Sequence, residues 1–329
     1  MRIRKTAATK ADRPVKEVGR LVDDAIKGLG LTPLETAAAF EPWVIDRMPI
    51  DSPRWRGIVE RELVKSRRRL LKRRLLGWWP GVKRTQDVVD QRYSNYWMGR
   101  IYPSLDAPRG KGDTSWVEWR HEGFVARRGA ITRPLLTYVG KLLDMLHPES
   151  VLEAGAGNGI NLFILASSFP GTRFTGLELT ATGVARMRQV ITEAVIPDAL
   201  ATYAPLPLRD RAAHGRVEVS QGSAAAMPYP DKHFDVALTI TALEQMNTIS
   251  AQALAELRRV TRRYVVMVEP FPDFNTTSLR TTYVRSKDYW SVPVARLASH
   301  GLRPVTVYDN VPHKLRLGVG IVVAAVNEG

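Results

Sequence analysis

The stretch Val151-Leu152-Glu153-Ala154-Gly155-Ala156-Gly157-Asn158-Gly159 sets alternate glycines between a short apolar run and the apolar segment INLFILASSF. Glycine lets a backbone turn sharply and lets a ligand lie against it, so a glycine-rich turn between a strand and a helix is a place to hold a cofactor. Glu178 ends the next apolar run, RFTGLEL, 23 residues after Gly155. An acidic side chain at that point can accept the hydroxyls of a ribose. Dinucleotide sites use a similar geometry, but their fingerprint is Gly-x-Gly-x-x-Gly and here the spacing is Gly-x-Gly-x-Gly. Glu153, just ahead of the glycines, would repel a pyrophosphate and suits a ligand that brings an ammonium group.

Other chemistries are excluded. The chain has no cysteine, so disulfides, thiolate metal sites, protein-held iron–sulfur clusters and cysteine nucleophiles are all ruled out. The six histidines show no metal-ligand spacing, and no metal is expected. No apolar run approaches the roughly 18 residues of a membrane span. The charged start lacks the apolar segment of a secretory signal. These features predict a cytoplasmic protein, peripheral to a membrane at most.

The elements that must position these residues alternate from residue 129 onward. AITRPLLTYVGKLLDMLH has helical spacing, VLEAG and RFTGLEL read as buried strands, and Val184, Met187, Ile191 and Ala194 form one helix face. RVEVSQ, FDVALTI and YVVMVEP supply three more strands, with SAQALAELRRVTRR a helix before the last. LRPVTVYDN and LGVGIVVAAVN close the chain as adjacent strands. This order predicts an α/β fold, a doubly wound, seven-stranded, mostly parallel sheet with one reversed edge.

The loop Glu153-Ala154-Gly155-Ala156-Gly157-Asn158-Gly159 resembles the first motif of class I S-adenosylmethionine-dependent methyltransferases. Gly222-Ser223-Ala224-Ala225-Ala226-Met227-Pro228-Tyr229-Pro230 followed by Phe234-Asp235-Val236 is similar to a second signature of their small-molecule, quinone-methyltransferase-like branch. The resemblance runs from about residue 129 to the end and implies a Rossmann-like fold with S-adenosyl-L-methionine as cofactor. It implies that the loop residues Glu153, Gly155, Gly157, Asn158 and Gly159 hold the methionine part and Glu178 the ribose. Leu179, Ser223, Ala224 and Thr239 are the remaining cofactor contacts expected along that edge. Ser223 stands where the family usually has Asp, and Leu243-Glu244-Gln245-Met246 replaces a segment that usually carries His.

Methyl transfer from a sulfonium uses an activated donor. Alignment can supply about 7–11 kcal/mol of the barrier, and a base adds about 10²–10⁴-fold when the acceptor must lose a proton. Candidate catalytic or orienting residues are Glu244, just past the fourth strand, Glu269, at the end of the fifth, and His313, in a Pro-His-Lys loop between the last two. Exposed first-turn carboxylates and a surface histidine are the structural alternatives. In this family the segment before the first motif closes over the cofactor, which makes Tyr96 and Trp97 candidates for an aromatic wall beside the sulfonium. Ordinary packing of those rings is the competing reading.

The front of the chain is different in character. Of the 48 Lys and Arg residues 28 lie in residues 1–128, against 16 of the 33 Asp and Glu, and seven of the eight tryptophans precede residue 120. Three regions are therefore expected: a basic flexible tail over 1–30, a helical, basic, Trp-rich extension over 31–128 that caps the substrate or binds a surface, and the methyltransferase domain over 129–329. Within residues 54–84 a helical pattern places Val59, Leu63, Val64, Leu70, Leu71 and Leu75 on one broad side, and Trp78-Trp79 follow. Such a segment suits an anionic membrane surface; nucleic-acid phosphates or a merely solvated face fit the same charges. The expected acceptor is a small or lipid-linked molecule, with a nucleic acid or a non-catalytic interaction role as alternatives.

Overall fold

Alternating apolar runs and helical stripes in one chain must bury their apolar faces against each other, and here they do so around two sheets. The computed structural model describes residues 12–76, 85–97 and 113–326, and of residues 12–19, 96 and 97 the backbone alone. Helices α1 (Asp12–Lys27), α2 (Pro33–Phe40), α3 (Pro53–Leu76) and α4 (Gln86–Trp97) alternate with strands β1 (Val44–Pro49), β2 (Thr114–Trp119) and β3 (Glu122–Arg127) in the first part of the chain. Then follow α5 (Thr132–Leu146), β4 (Ser150–Ala154), α6 (Ile160–Ser168), β5 (Arg173–Glu178), α7 (Ala181–Ile191), α8 (Asp198–Tyr203), β6 (Glu218–Gln221) and β7 (Phe234–Ile240). The last elements are α9 (Ser250–Val260), β8 (Thr261–Glu269), α10 (Ser278–Lys287), β9 (Leu302–Tyr308), β10 (His313–Lys314) and β11 (Gly320–Val326).

The main sheet has the order β6-β5-β4-β7-β8-β11-β9. Strands β4 to β8 pair in parallel, while β11 is antiparallel to both β8 and β9. The reversed strand thus lies one place in from the edge, and β9 takes the edge itself. Val151, Leu152, Val236, Leu238, Val266 and Val268 are completely buried, as expected for strands covered by helices on both faces. The strand order reverses at β4, whose neighbours are β5 and β7. Loops at the carboxyl ends of such strands form the crevice where doubly wound sheets bind ligands.

The extension expected to be helical also carries a four-stranded antiparallel sheet, β1-β3-β2-β10. Its hairpin β2–β3 turns through Arg120 and His121, both at positive φ (50° and 62°). Two-residue hairpins demand that conformation but normally announce it with Asn-Gly or Asp-Gly. Without those residues the hairpin is silent in the sequence. The fourth strand comes from the far end of the chain, since β10 pairs with β2. A boundary at residue 128 therefore does not separate the sheets.

The region read as a tail over 1–30 is likewise partly built in. Residues 1–11 lie outside the description, but α1 buries Ile26 completely. Its Asp23 accepts a hydrogen bond from the Tyr264 hydroxyl at 3.0 Å and pairs with Arg303.

Helix α3 buries Trp55, Ile58, Glu62 and Ser66, spaced every three to four residues, toward α10. Glu62 meets Arg316 at 3.0 Å, and Arg73 meets Asp288 at 2.6 Å. The apolar side expected for this segment is consequently divided. Val59, Leu63 and Leu70 are half-buried, whereas Val64, Leu71 and Leu75 are 45%, 59% and 65% exposed. Trp78 and Trp79 lie outside the described residues.

Trp55 joins α3 to the second sheet by packing edge-on against Trp116 at 6.1 Å and over Gly123. Trp55→Ala should cost about 3–5 kcal/mol of stability. Gly123→Ala, whose added methyl would stand 2.5 Å from the Trp55 ring, should also destabilise. Urea unfolding that leaves both variants within about 0.5 kcal/mol of wild type contradicts this packing.

Candidate active site

Between the carboxyl edge of the main sheet and the extension lies a cavity of about 730 Å³. Its floor is the glycine loop. Gly155, Gly157 and Gly159 all have positive φ (81°, 60° and 81°), which other residues adopt only with strain. At Gly155 there is a second constraint: an added Cβ would lie 2.6 Å from the Ala242 Cβ on the neighbouring turn. The backbone N–H groups of Gly155 and Ala156 both donate to the Leu177 carbonyl (2.7 and 3.0 Å), tying the loop to β5.

Glu178 holds the loop from the other side. Its Oε2 accepts from the Gly157 N–H at 3.0 Å, and its Oε1 accepts from the Thr180 N–H and hydroxyl at 3.1 and 2.7 Å. Thr180 in turn caps α7 through the Gly183 N–H. A carboxylate offers about four acceptor positions, so roughly one remains for a ligand, where the sequence suggested both ribose hydroxyls.

Glu153 is 1% exposed and still lines the cavity. One of its oxygens accepts from Asn161 Nδ2 at 3.4 Å, and Oε2 has no hydrogen-bond partner among the described residues. Burial pushes Glu153 up to about 8, opposed by the Asn161 hydrogen bond and reinforced by the Glu178 charge.

Of the remaining expected cofactor contacts, Asn158, Leu179 and Ala224 line the cavity and Thr239 and Ser223 do not. Thr239 is completely buried within β7. Ser223 Oγ is occupied by the Ala225 N–H at 3.0 Å and by the Gln86 side-chain amide. Gln86, from α4, takes the cavity-lining place instead. The side chains of Tyr96 and Trp97 lie outside the description. The helix they end supplies Gln86, Val89 and Tyr93 to the wall, a covering element where the sequence led us to expect one.

Of the three catalytic candidates only Glu244 reaches the cavity. It follows β7 in the turn through Thr241, a non-glycine residue at φ 52°. Glu269 is fully buried and pins that turn: Oε1 accepts from the N–H groups of Ala242 and Leu243 at 2.9 and 3.0 Å, and Oε2 from that of Glu244 at 3.3 Å. Burial pushes Glu269 up to about 8, opposed by the Leu243 hydrogen bond and reinforced by the Glu244 charge. Glu269 is thus a positioning residue for Glu244.

His313 pairs with Glu118 across the second sheet and does not line the cavity. Burial, helped by the Arg280 charge, pushes it down to about 4. Its neighbour Lys314 lines the cavity in its place. Successive strand side chains point to opposite faces, and that alternation was the signal that could have found Lys314. Arg128, Lys287 and Tyr203 also line the cavity, and nothing local in the sequence marked them. Among the described residues no group of three or more His, Cys, Asp or Glu could hold a metal.

Residues 152–268 match the family model for a methyltransferase domain. Those residues form a methyltransferase domain of the class I S-adenosylmethionine-dependent kind, and the protein is an enzyme whose cofactor is S-adenosylmethionine. No curated protein is significantly similar to it in sequence. Solved structures similar to it include the (4+2)-cyclase SpnF, with 16% identity and a TM-score of 0.48 over 75% of this chain and 98% of that one. Another is the geranyl diphosphate C-methyltransferase of Streptomyces coelicolor A3(2), with 9% identity and a TM-score of 0.43 over 72% and 98%. A third is a SAM-dependent methyltransferase from Aquifex aeolicus, with 16% identity and a TM-score of 0.36 over 54% and 82%.

Glu269→Ala should leave the N–H groups of the turn unpaired, at about 1–3 kcal/mol for each buried group not rescued by water. Glu269→Gln, which keeps one acceptor oxygen, should lose less. Chemical denaturation of the two variants checks the order, and equal stability would show that the turn does not need this cradle.

Proposed function

We propose that the enzyme transfers a methyl group from S-adenosylmethionine to a small or lipid-linked acceptor that enters the cavity from the side of the extension. The observation that carries this reading is the partnerless Oε2 of Glu153 beside the glycine loop. A buried carboxylate without a partner costs far more than one that is paired, and the ammonium of the methionine moiety is a fitting counter-charge. Glu178 keeps one acceptor position for a ribose hydroxyl, and Gln86, held by Ser223, offers an amide to the adenine end. The cofactor, when bound, supplies a methyl group on a positively charged sulfur. The chain's own work is to align the acceptor, exclude water and, through Glu244, orient the acceptor or take its proton.

The raised Glu153 gives this reading a pH signature. At pH 7 a carboxyl that titrates near 8 is mostly protonated in the free protein, and it must ionise to pair with an ammonium. Binding then releases a proton, and affinity should climb by up to about tenfold per pH unit from pH 6 toward 8, then level off. Calorimetry in buffers of different ionisation enthalpy measures the proton directly. Glu153→Gln should weaken binding and abolish the slope. A pH-independent affinity that the variant shares places the ammonium elsewhere, and tighter binding of NAD than of S-adenosylmethionine defeats the cofactor assignment for this loop.

We further propose that the outer face of α3 holds the enzyme against anionic lipid, where its acceptor would reside. The support is the exposed strip Val64, Leu71 and Leu75 flanked by the exposed Arg67, Arg68, Lys72 and Arg74. Each cation near such a surface contributes about 1 kcal/mol. Neutralising these four, and sparing Arg73 because it pairs with Asp288, should abolish sedimentation with phosphatidylserine vesicles at low salt and leave cofactor affinity unchanged. Tight RNA binding by a wild type that ignores vesicles would favour a nucleic-acid acceptor.

A further inference from the structure

Lys314 is brought to the cavity by an unusual route. Between β9 and β11 the chain leaves the main sheet, adds two residues to the edge of the second sheet, and returns. The crossing is anchored: the Leu315 N–H donates to the Trp116 carbonyl at 2.8 Å, and the Leu315 side chain packs in the cluster with Met48, Trp55 and Ile58. Lys314 is therefore held on a rigid backbone with its side chain lining the cavity.

Its surroundings are poor in compensating charge. Burial lowers the pKa of Lys314; Glu244 opposes that shift, and Arg128 and Arg316 add to it. Glu244 already accepts from Gln245 Nε2 at 2.6 Å, and no carboxylate among the described residues stands within ion-pair distance of the Lys314 Nζ. Glu153 and Glu178 line the cofactor end of the cavity, away from Lys314, whose electrostatic neighbours are Glu244, Arg128 and Arg316. A cation fixed in a partly dry cavity and in no direct ion pair is suited to an anionic ligand, because the ligand's charge recovers what desolvation cost.

We propose that the methyl acceptor carries an acidic group, a carboxylate or a phosphate, and that Lys314 receives it, with Arg128 contributing to the same positive field. This deepens the methyltransferase reading and rests on it. It also gives Glu244 a defined neighbour, since an acceptor anchored at Lys314 passes beside the carboxylate that orients it or takes its proton.

The test uses the full chain saturated with S-adenosylhomocysteine, titrated with inorganic pyrophosphate and with benzoate as phosphate and carboxylate probes. Wild type should bind at least one of them, and the stronger of the two identifies the acidic group. Lys314→Met should weaken that probe by about tenfold or more, as expected for loss of a charge-assisted contact. Lys314→Arg should restore most of the affinity, and both variants should keep S-adenosylhomocysteine affinity within about twofold, which shows that they fold. The proposal is overturned if neither anion binds wild type, or if Lys314→Met binds as wild type does. Failure of the underlying reading looks different: S-adenosylhomocysteine itself would not bind, and the same anion comparison on the ligand-free protein would still decide the role of Lys314.

Discussion

The Glu178 carboxylate ties together the parts on which the site depends. It accepts the N–H of Gly157 in the glycine loop and both donors of Thr180 at the start of α7, so one side chain sets the loop's height above the sheet and the entry angle of the next helix. The loop can adopt its left-handed turns because glycine permits them, but permission is not specification. The hydrogen bond to Gly157 selects one geometry among those allowed. Gly183 lets this happen at close quarters, since a Cβ there would approach Glu178, the Gly157 carbonyl and Thr180, each at 2.8 Å.

Seen along the carboxyl edge of the sheet, three strands end in or near a buried glutamate and each glutamate is used differently. Glu178 of β5 accepts three donors from the chain and shapes the loop, with about one acceptor position left over. Glu269 of β8 is occupied by backbone N–H groups of the turn after β7, and holds that turn, with Thr241 at positive φ, while Glu244 lines the cavity. Glu153 of β4 has the opposite character, with an oxygen that no described residue satisfies. Buried polar atoms are nearly always paired in folded proteins. The contrast between two carboxylates whose oxygens are both engaged and one with an unengaged oxygen supports placing the proposed ammonium site at Glu153.

Much of the main sheet was legible because buried parallel strands write themselves as short apolar runs, and Glu153, the glycines and Glu178 sit at the ends of such runs. The second sheet was not legible, since its hairpin turns through Arg120 and His121 without glycine or asparagine and its last strand is two residues long. The site suffered in the same way. His313 drew notice for its chemistry, yet the alternation of a strand turns it away from the cavity and turns Lys314 in. The helical stripe of α3 was half right for a different reason: Trp55, Ile58, Glu62 and Ser66 mark its inner face, and two of those four are polar, so hydrophobicity alone found Val59 and Leu63 beside that face but also chose the exposed Val64, Leu71 and Leu75. Glu62 is held there by Lys65 on its own helix and by Arg316, more than 250 positions away. No local pattern encodes the contact with Arg316.

The crossing that joins β10 to β2 also orders events in time. Strand β2 has β3 on one side within a hairpin, a contact that forms in microseconds once both strands exist. Its other edge stays open until residues 313 and 314 have been made, about two hundred residues later, which at roughly 5–20 residues per second is an interval of tens of seconds. During synthesis the nascent chain therefore displays an unpaired β-edge carrying Trp116 and Val117, the kind of surface that recruits other strands. Closure of that edge and delivery of Lys314 to the cavity are one event. A ribosome that has finished the glycine loop and the parallel strands around it still holds a cavity without its lysine, and that side chain arrives together with the seal on the open edge of β2.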